Sequence, residues 1–202
     1  HYSYLSAGEK PNVVPDFAEV WYFVRSNRRR IVDQVTERLI QVARGAAMMS
    51  GTEVEWEFLA RGKATRINTT LADLAYGCMR RVSLPQWEEP ELRLAAGLGE
   101  SLGLPGTICG ELTPPEGREL PGSGSTDFSA VSQTVPSVEI NTVCFTRGTP
   151  GHHWAVTAQS CSSIGRKGML YAAGVLAKMG KALLEDPGLL SRAREEYLTR
   201  AE

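Results

Sequence analysis

The order of hydrophobic patterns in the first 60 residues constrains the fold more than any other feature of the sequence. Residues 1–6 and 18–25 have the character of extended segments, and residues 28–49 carry apolar side chains at helical spacing. Residues 53–60, with the sequence EVEWEFLA, then alternate between acidic and apolar side chains, as a strand with one solvated face does. The order strand–strand–helix–strand is three-quarters of a ferredoxin-like unit, so the sequence predicts a partial unit of this kind.

The remainder of the chain predicts helices that flank one buried strand. Helical patterns cover four segments, at residues 68–82, 88–102, 162–184 and 189–201. An apolar run at residues 135–145 is typical of a buried strand. Because helices beside an apolar strand indicate an α/β layer, we predict an α/β fold for this part of the chain.

A change of pattern between these parts predicts two domains. We place the boundary after residue 66, which divides the chain into segments 1–66 and 67–202. Within the second segment, residues 103–124 are rich in Pro and Gly and therefore predict a long loop.

The composition argues against several classes of protein. The 202 residues are 42% hydrophobic and 22% charged, with a net charge of −1, so there is no basic footprint for nucleic acid or an anionic membrane. No apolar run approaches the roughly 20 residues of a membrane span, and no signal-peptide pattern is present. We therefore expect a cytoplasmic protein with neither nucleic acid nor a membrane as a partner.

The spacing of the cysteines and the identity of the first residue support two further expectations, one about disulfides and zinc and one about the length of the protein. Cys78, Cys109, Cys144 and Cys161 lie far apart in the sequence, which argues against a disulfide framework and a structural zinc site. The chain begins at His1, without Met, in a segment that already has the pattern of a strand. We therefore expect it to be a piece of a longer protein.

Two adjacent histidines, His152 and His153, lie in a Gly- and Pro-rich turn after the predicted buried strand. Loops in this position carry many of the functional side chains of α/β proteins, although two polar residues in a solvated turn are an equally good interpretation. Zinc or manganese needs three or more N, O or S donors, and no typical metal-ligand spacing accompanies this pair. A metal site that used either histidine would need ligands from outside this chain.

The sequence GSGSTDFSAVS at residues 122–132 has both a functional and a structural interpretation. Its small residues could form a backbone cradle for an anion. Alternatively, Thr126 or Asp127 caps a short helix that begins at Phe128.

Two acidic pairs are better explained by helix structure than by catalysis. Glu88 and Glu89 precede Pro90, at a predicted first helical turn, where carboxylates suit the helix dipole. We interpret Glu195 and Glu196 as part of a solvated helical face.

Two further groups of polar residues have an adequate structural explanation. The sequence KPNVVPD at residues 10–16, which contains Asn12, has the chemistry of a turn. Arg61, Lys63 and Arg66 follow the third predicted strand, where they could meet a substrate carboxylate or simply lie in solvent.

Four segments, taken in order, resemble metallopeptidase family 20 and more narrowly its amidohydrolase branch. They are KPNVVPDFAEVWYFVR, GTEVEWEFLARGKATRINTTLADL, GSGSTDFSAVSQTVPSVEINT, and GTPGHHWAVTAQ followed by SIGRKGML. The resemblance covers essentially the whole chain. It implies that segment 1–66 is the later part of a ferredoxin-like dimerisation lid. It also implies that segment 67–202 is the C-terminal part of a mixed-sheet α/β metallopeptidase domain.

The resemblance implies a role for one histidine and one asparagine. His152 falls on a late histidine that binds the second metal ion, and His153 falls on a variable position beside it. Asn12 matches a lid asparagine that, in the family, reaches the active site of the partner subunit and helps to bind substrate or polarise the scissile carbonyl.

The resemblance also implies a set of substrate-binding residues. A segment that lies beside the substrate in the family matches Ser125, Thr126 and Asp127. Lys63 falls where carboxypeptidase relatives have an arginine for the substrate carboxylate. That difference leaves Arg61, Lys63 and Arg66 as candidates for this role.

The implied reaction is metal-assisted hydrolysis of the amide bond of an N-acyl or aminobenzoyl amino acid, a small molecule, with two zinc or manganese ions. In the family, the early metal ligands and the general-base glutamate lie upstream of the segments matched here. We therefore expect no catalytic base in this chain, no firmly bound metal on the chain alone, and activity only in a longer homodimeric parent. The alternative is a catalytically incomplete fragment that acts only as a dimerisation or interaction module.

Overall fold

The computed structural model describes residues 1–115 and 126–199, and within these ranges it contains two β-strands and seven α-helices. The chain divides into two compact units. The first contains His1–Ala64, and the second contains the described residues from 65 onward. The assignment of these units to a lid and a catalytic domain stays a prediction.

The first unit is built from a hairpin and one long helix. Strands β1 (Tyr2–Ser6) and β2 (Glu19–Tyr22) form an antiparallel two-stranded sheet, and α1 spans Arg29–Ser50. Helix α1 ends because Gly51 adopts the left-handed conformation, with φ of 68°, and its N–H donates to the Ala47 carbonyl oxygen. The two extended segments and the helix predicted for this region are confirmed.

Residues 53–60 do not form a strand, contrary to the prediction. Their alternation predicts which side chains share a face of the segment. A strand, however, also needs a neighbouring segment as a hydrogen-bond partner, and no described segment pairs with residues 53–60. Trp56 and Phe58, on the apolar face of the predicted strand, remain 47% and 45% exposed. They are covered in part by cations: the guanidinium carbon of Arg44 lies 4.9 Å from the Trp56 ring centroid, and that of Arg61 lies 3.9 Å from the Phe58 centroid.

The second unit is helical in its described part. Its helices α2 to α7 span Thr69–Met79, Glu89–Leu102, Phe128–Ser132, Trp154–Ser160, Ser163–Glu185 and Pro187–Thr199. The four predicted long helices and the short helix at Phe128 are confirmed, whereas α5 was not predicted. Of the loop predicted at residues 103–124, residues 103–115 contain no helix, as predicted, and residues 116–124 lie outside the described residues.

The strand predicted at residues 135–145 is also absent. An isolated antiparallel bridge joins Ile108 to Thr146 just beyond this segment. Val138 and Ile140, both partly buried, nevertheless pack against the core of the unit. No residue of the segment is fully buried, and Val135 and Phe145 are 48% and 37% exposed, so the buried strand predicted here is wrong in its pairing and only partly right in its contact with the core. In the described residues the chain combines helices with one small two-stranded sheet. The α/β fold with the mixed sheet of a metallopeptidase domain stays a prediction.

Helices α2 and α6 enclose the core of the second unit. Its buried members are Ala75, Cys78, Tyr171, Val175 and Met179. The Tyr171 hydroxyl donates to the carbonyl oxygen of Met79 at 2.7 Å, so the one polar atom of this ring is satisfied inside the core.

A partly buried ion pair joins α3 to α6, with the Glu91 carboxylate buried and the Lys167 side chain partly exposed. The Glu91 carboxylate accepts from Lys167 Nζ at 2.7 Å and from the Glu88 N–H at 2.7 Å. Burial by itself raises the pKa of Glu91, but these hydrogen bonds outweigh it and the pKa lies below its ordinary value. Because Glu88 and Glu89 stand at the start of α3 with Pro90 in its first turn, their structural interpretation is confirmed.

None of the helices in the described ranges is long and apolar enough to cross a membrane.

Candidate functional site

The loop that carries the two histidines is ordered by a buried glutamine. Gln159, on α5, has no exposed surface, and its side-chain oxygen accepts from the Thr146 N–H at 2.7 Å. Its side-chain nitrogen donates to Thr149 Oγ1 at 3.1 Å and to the Ala155 carbonyl oxygen at 3.0 Å. One side chain therefore ties both the start and the middle of the loop to the helix that follows it. In the sequence, the only indication of this role of Gln159 was a polar residue four positions after Ala155. It lies on the buried side of a helix that the sequence pattern did not predict.

His153 has a structural role at the start of α5. It is the N-cap residue of that helix, with an extended backbone, and its Nδ1 accepts from the Ala155 N–H at 3.3 Å. Its ring lies 5.4 Å from the Trp154 ring, centroid to centroid. The imidazole is thus used to satisfy the helix end.

His152 differs from its neighbour in both backbone and side chain. Among the described residues it is the one non-glycine residue with a positive φ, 56°. It is exposed, and no hydrogen bond within the described chain engages its imidazole. Histidine tolerates the left-handed region better than most residues, and strained backbone concentrates at functional sites. The conformation therefore presents the His152 ring to solvent, where it is accessible to a ligand.

No group of three or more His, Cys, Asp or Glu side chains that could hold a metal ion occurs within residues 1–115 and 126–199. His152 can therefore contribute to a metal site only together with donors beyond that part of the chain.

The residues before α4 show which side chain, that of Thr126 or that of Asp127, bonds to the start of this helix. The Thr126 hydroxyl accepts from the Phe128 N–H at 3.3 Å, whereas the Asp127 side chain makes no capping hydrogen bond. Thr126 therefore supplies the side-chain acceptor at the start of the helix, and the exposed Asp127 carboxylate, at the N-cap position, does not. Ser125 lies outside the described residues.

The three basic candidates for a substrate carboxylate have different surroundings. Arg61 stacks on the Phe58 ring, and Lys63 is exposed. The Arg66 guanidinium lies 4.2 Å from the Tyr197 ring centroid and donates to the Tyr197 carbonyl oxygen, so it is already engaged.

Asn12 lies in the exposed turn that follows β1. The turn is closed by a hydrogen bond from the Val13 N–H to the Lys10 carbonyl oxygen at 3.2 Å. The turn predicted by the chemistry of this segment is confirmed.

The prediction of a solvated Glu196 is wrong. Its carboxylate accepts from the N–H groups of Thr69 and Thr70, at 2.7 and 2.9 Å, and from both threonine hydroxyls. It therefore binds the N-terminal turn of α2 from a position more than 120 residues away. Burial by itself raises the pKa of Glu196, but the threonine donors overcome this effect and lower the pKa to about 2. Neighbouring Glu195 is exposed, as predicted.

Comparison with known proteins finds a relative that matches nearly the whole chain. The chain is 30% identical to the B subunit of p-aminobenzoyl-glutamate hydrolase from Escherichia coli (strain K12) over 224 residues, which covers 98% of this chain and 47% of that protein. The chain therefore spans about half the length of the curated relative that it matches. No family model and no solved structure matches the chain. The resemblance drawn from the sequence motifs is confirmed: over nearly all of its length, this chain is similar to one of the subunits of p-aminobenzoyl-glutamate hydrolase.

Proposed function

We propose that this chain is the C-terminal portion of a metal-dependent amidohydrolase. Its substrate is an N-acyl or p-aminobenzoyl amino acid, such as p-aminobenzoyl-glutamate, and the bond hydrolysed is the amide. The name of the similar protein supports a hydrolase of this kind. The observation that carries the proposal is the contrast between the two histidines, because His153 is used as a helix cap while His152 is held in a strained, exposed conformation.

The donor chemistry of the loop fits one position in a site for zinc or manganese. An exposed imidazole without an internal hydrogen-bond partner is a suitable ligand for either ion. The remaining ligands and the general-base glutamate would belong to the part of the protein outside this chain. When bound, the two ions would activate a water molecule and polarise the amide carbonyl.

This chain's own contribution is then to bind and orient the substrate. The Asn12 side-chain amide would donate to the scissile carbonyl in the active site of the partner subunit, and Ser125, Thr126 and Asp127 would line the substrate pocket of their own subunit. We assign the substrate carboxylate to Lys63 or Arg61 rather than Arg66, because the Arg66 guanidinium is engaged by Tyr197.

We further propose that the protein is a cytoplasmic homodimer that associates through its first unit. Helix α1 has no buried residue among those described, and its apolar side chains include Val42, Met48 and Met49, which are 56%, 84% and 86% exposed. Exposed apolar surface of this kind is typical of an interaction site. The same surface supports the competing proposal, in which the chain is a catalytically incomplete fragment that serves only as a dimerisation or interaction module.

The two proposals are separated by replacing each histidine in the full-length parent protein. We expect His152→Ala to lose one of two bound metal ions and all hydrolysis of p-aminobenzoyl-glutamate, because an alanine supplies no ligand. His153→Ala is the matched control and keeps its metal content, although α5 loses its cap. Metal analysis and an assay of released p-aminobenzoate measure both effects. If neither variant loses metal, the metalloenzyme proposal for this loop fails; if only His153→Ala does, the ligand is His153.

A further inference from the structure

The last helix of the chain contacts two sequence-distant segments of the second unit through one group of polar side chains. We call this group the α7 cluster; its members are Arg66, Asn68, Glu196 and Tyr197. The Asn68 side-chain nitrogen donates to the Ala193 carbonyl oxygen at 2.8 Å, in a buried position. With the bonds from Thr69 and Thr70 to Glu196, this contact fixes the start of α2 against α7.

The α7 cluster also holds the far end of α4. The Tyr197 hydroxyl donates to the Gln133 carbonyl oxygen at 2.8 Å, and the Arg66 N–H donates to Ser132 Oγ at 2.9 Å. Ser132 is buried, and its hydroxyl donates in turn to the Ser129 carbonyl oxygen at 2.7 Å. The end of this five-residue helix is thus bound from two directions.

Hydrogen bonds within α4 connect its far end to Thr126 and Asp127, the two residues that precede it. The Gln133 N–H donates to the Ser129 carbonyl oxygen at 3.1 Å, and the Ser129 N–H donates to the Thr126 carbonyl oxygen at 3.1 Å. The Ala130 N–H donates to the Asp127 carbonyl oxygen at 3.0 Å. Because α4 is little more than one turn long, an end fixed at Gln133 also fixes the backbone at Thr126 and Asp127.

We infer that Tyr197 is a positioning residue for the substrate pocket: its hydroxyl, with Arg66 beneath its ring, holds α4 so that Thr126 and Asp127 meet the substrate. This inference rests on the proposed function for the role of Thr126 and Asp127. Tyr197 itself contacts no substrate. Its effect passes through the backbone of α4, so the loss of its hydroxyl should weaken substrate binding more than the chemical step.

The test compares Tyr197→Phe with Tyr171→Phe in the full-length parent protein. Each variant removes one tyrosine hydroxyl that donates to a backbone carbonyl, to Gln133 in the first case and to Met79 in the second. The Tyr197→Phe variant keeps the aromatic ring that covers Arg66. We expect similar losses of melting temperature in both variants. Only Tyr197→Phe should raise KM for p-aminobenzoyl-glutamate, by about 3- to 10-fold, with kcat changed less than about twofold. An unchanged KM, or an equal rise in the Tyr171 variant, overturns the inference.

A second measurement does not depend on activity. Amide hydrogen exchange of the 202-residue chain should be faster at residues 128–134 in Tyr197→Phe than in Tyr171→Phe, because only the former loses a bond to α4. Equal exchange in the two variants overturns the positioning role. If the parent protein hydrolyses no amide, the proposed function fails together with the substrate part of this inference, while the exchange comparison still decides whether Tyr197 holds α4.

Discussion

Replacement of Glu196 by Gln should destabilise the second unit, because the Glu196 carboxylate binds the first turn of α2 beside its N-cap residue, Asn68. It accepts from the backbone N–H groups and the hydroxyls of Thr69 and Thr70, and all four of these groups are donors. A glutamine removes the negative charge from the positive end of the helix dipole. It also turns an NH₂ group toward at least one of these donors, which leaves that donor without an acceptor.

The pKa of Glu196 sets the size of the effect. It falls from an ordinary 4.5 to about 2, and at about 1.4 kcal/mol for each pKa unit this corresponds to a ceiling of about 3 kcal/mol. The carboxylate is only partly buried, so screening by solvent reduces the figure, and we expect a loss of about 1–3 kcal/mol at pH 7. Because the pKa is lower in the folded state, the contribution is complete above about pH 4.5 and is lost as the pH falls toward 2.

Urea unfolding of the 202-residue chain, followed between pH 7 and pH 2.5, measures both the size and the pH dependence. Glu195→Gln is the matched control, since it makes the same chemical change at the exposed neighbouring position. The free energies of unfolding of wild type and Glu196→Gln should converge as the pH falls, while Glu195→Gln follows wild type throughout. Equal effects of the two substitutions at pH 7, or a Glu196 effect that persists undiminished at pH 2.5, would refute the reasoning.

Three further predictions concern substrate, packing and assembly. Asn12→Ala in the parent protein should lower kcat/KM for p-aminobenzoyl-glutamate by about 100-fold or more without changing the metal content, as for the loss of an oxyanion donor; full activity removes Asn12 from the site. Gly168→Ala should destabilise the chain by about 1–3 kcal/mol because its methyl group would collide with the Val143 carbonyl oxygen. Gly180→Ala is the matched control on the same helix. Its added methyl group would contact no described atom, so this variant should stabilise the chain by up to about 1 kcal/mol in thermal unfolding. Light scattering at micromolar concentration should detect dimers of the parent protein, and a purely monomeric population contradicts association through the first unit.

Helices were predictable from the sequence because their signals are local. Gly51 ends α1 through its own backbone conformation, and Ser162 and Asn68 cap the helices that follow them. The strands predicted at residues 53–60 and 135–145 failed for the opposite reason. Alternation and apolar runs report which side chains avoid water, whereas a strand exists only if another segment bonds to it.

In the candidate site, too, local features could be predicted from the sequence and contacts between distant residues could not. The sequence identified the histidine pair, and the resemblance predicts a ligand at His152 and a variable position at His153, but neither predicted that His153 caps α5. The contact of Glu196 with α2 was missed because it joins residues more than 120 positions apart. In the sequence, Glu196 cannot be told apart from Glu195, its solvated neighbour; only the packing of α7 against α2 distinguishes them.

The buried Gln159 has a consequence for the affinity of whatever binds at His152. A loop that must be ordered by its ligand loses about 1–2 kcal/mol of backbone entropy for each residue that becomes fixed. Here the Gln159 side chain already bonds the Thr146 N–H, the Thr149 hydroxyl and the Ala155 carbonyl oxygen. The loop is therefore preorganised, and under the proposed function a ligand at His152 would retain binding free energy that a disordered loop would consume. Gln159 would then contribute to the affinity for that ligand without contacting it.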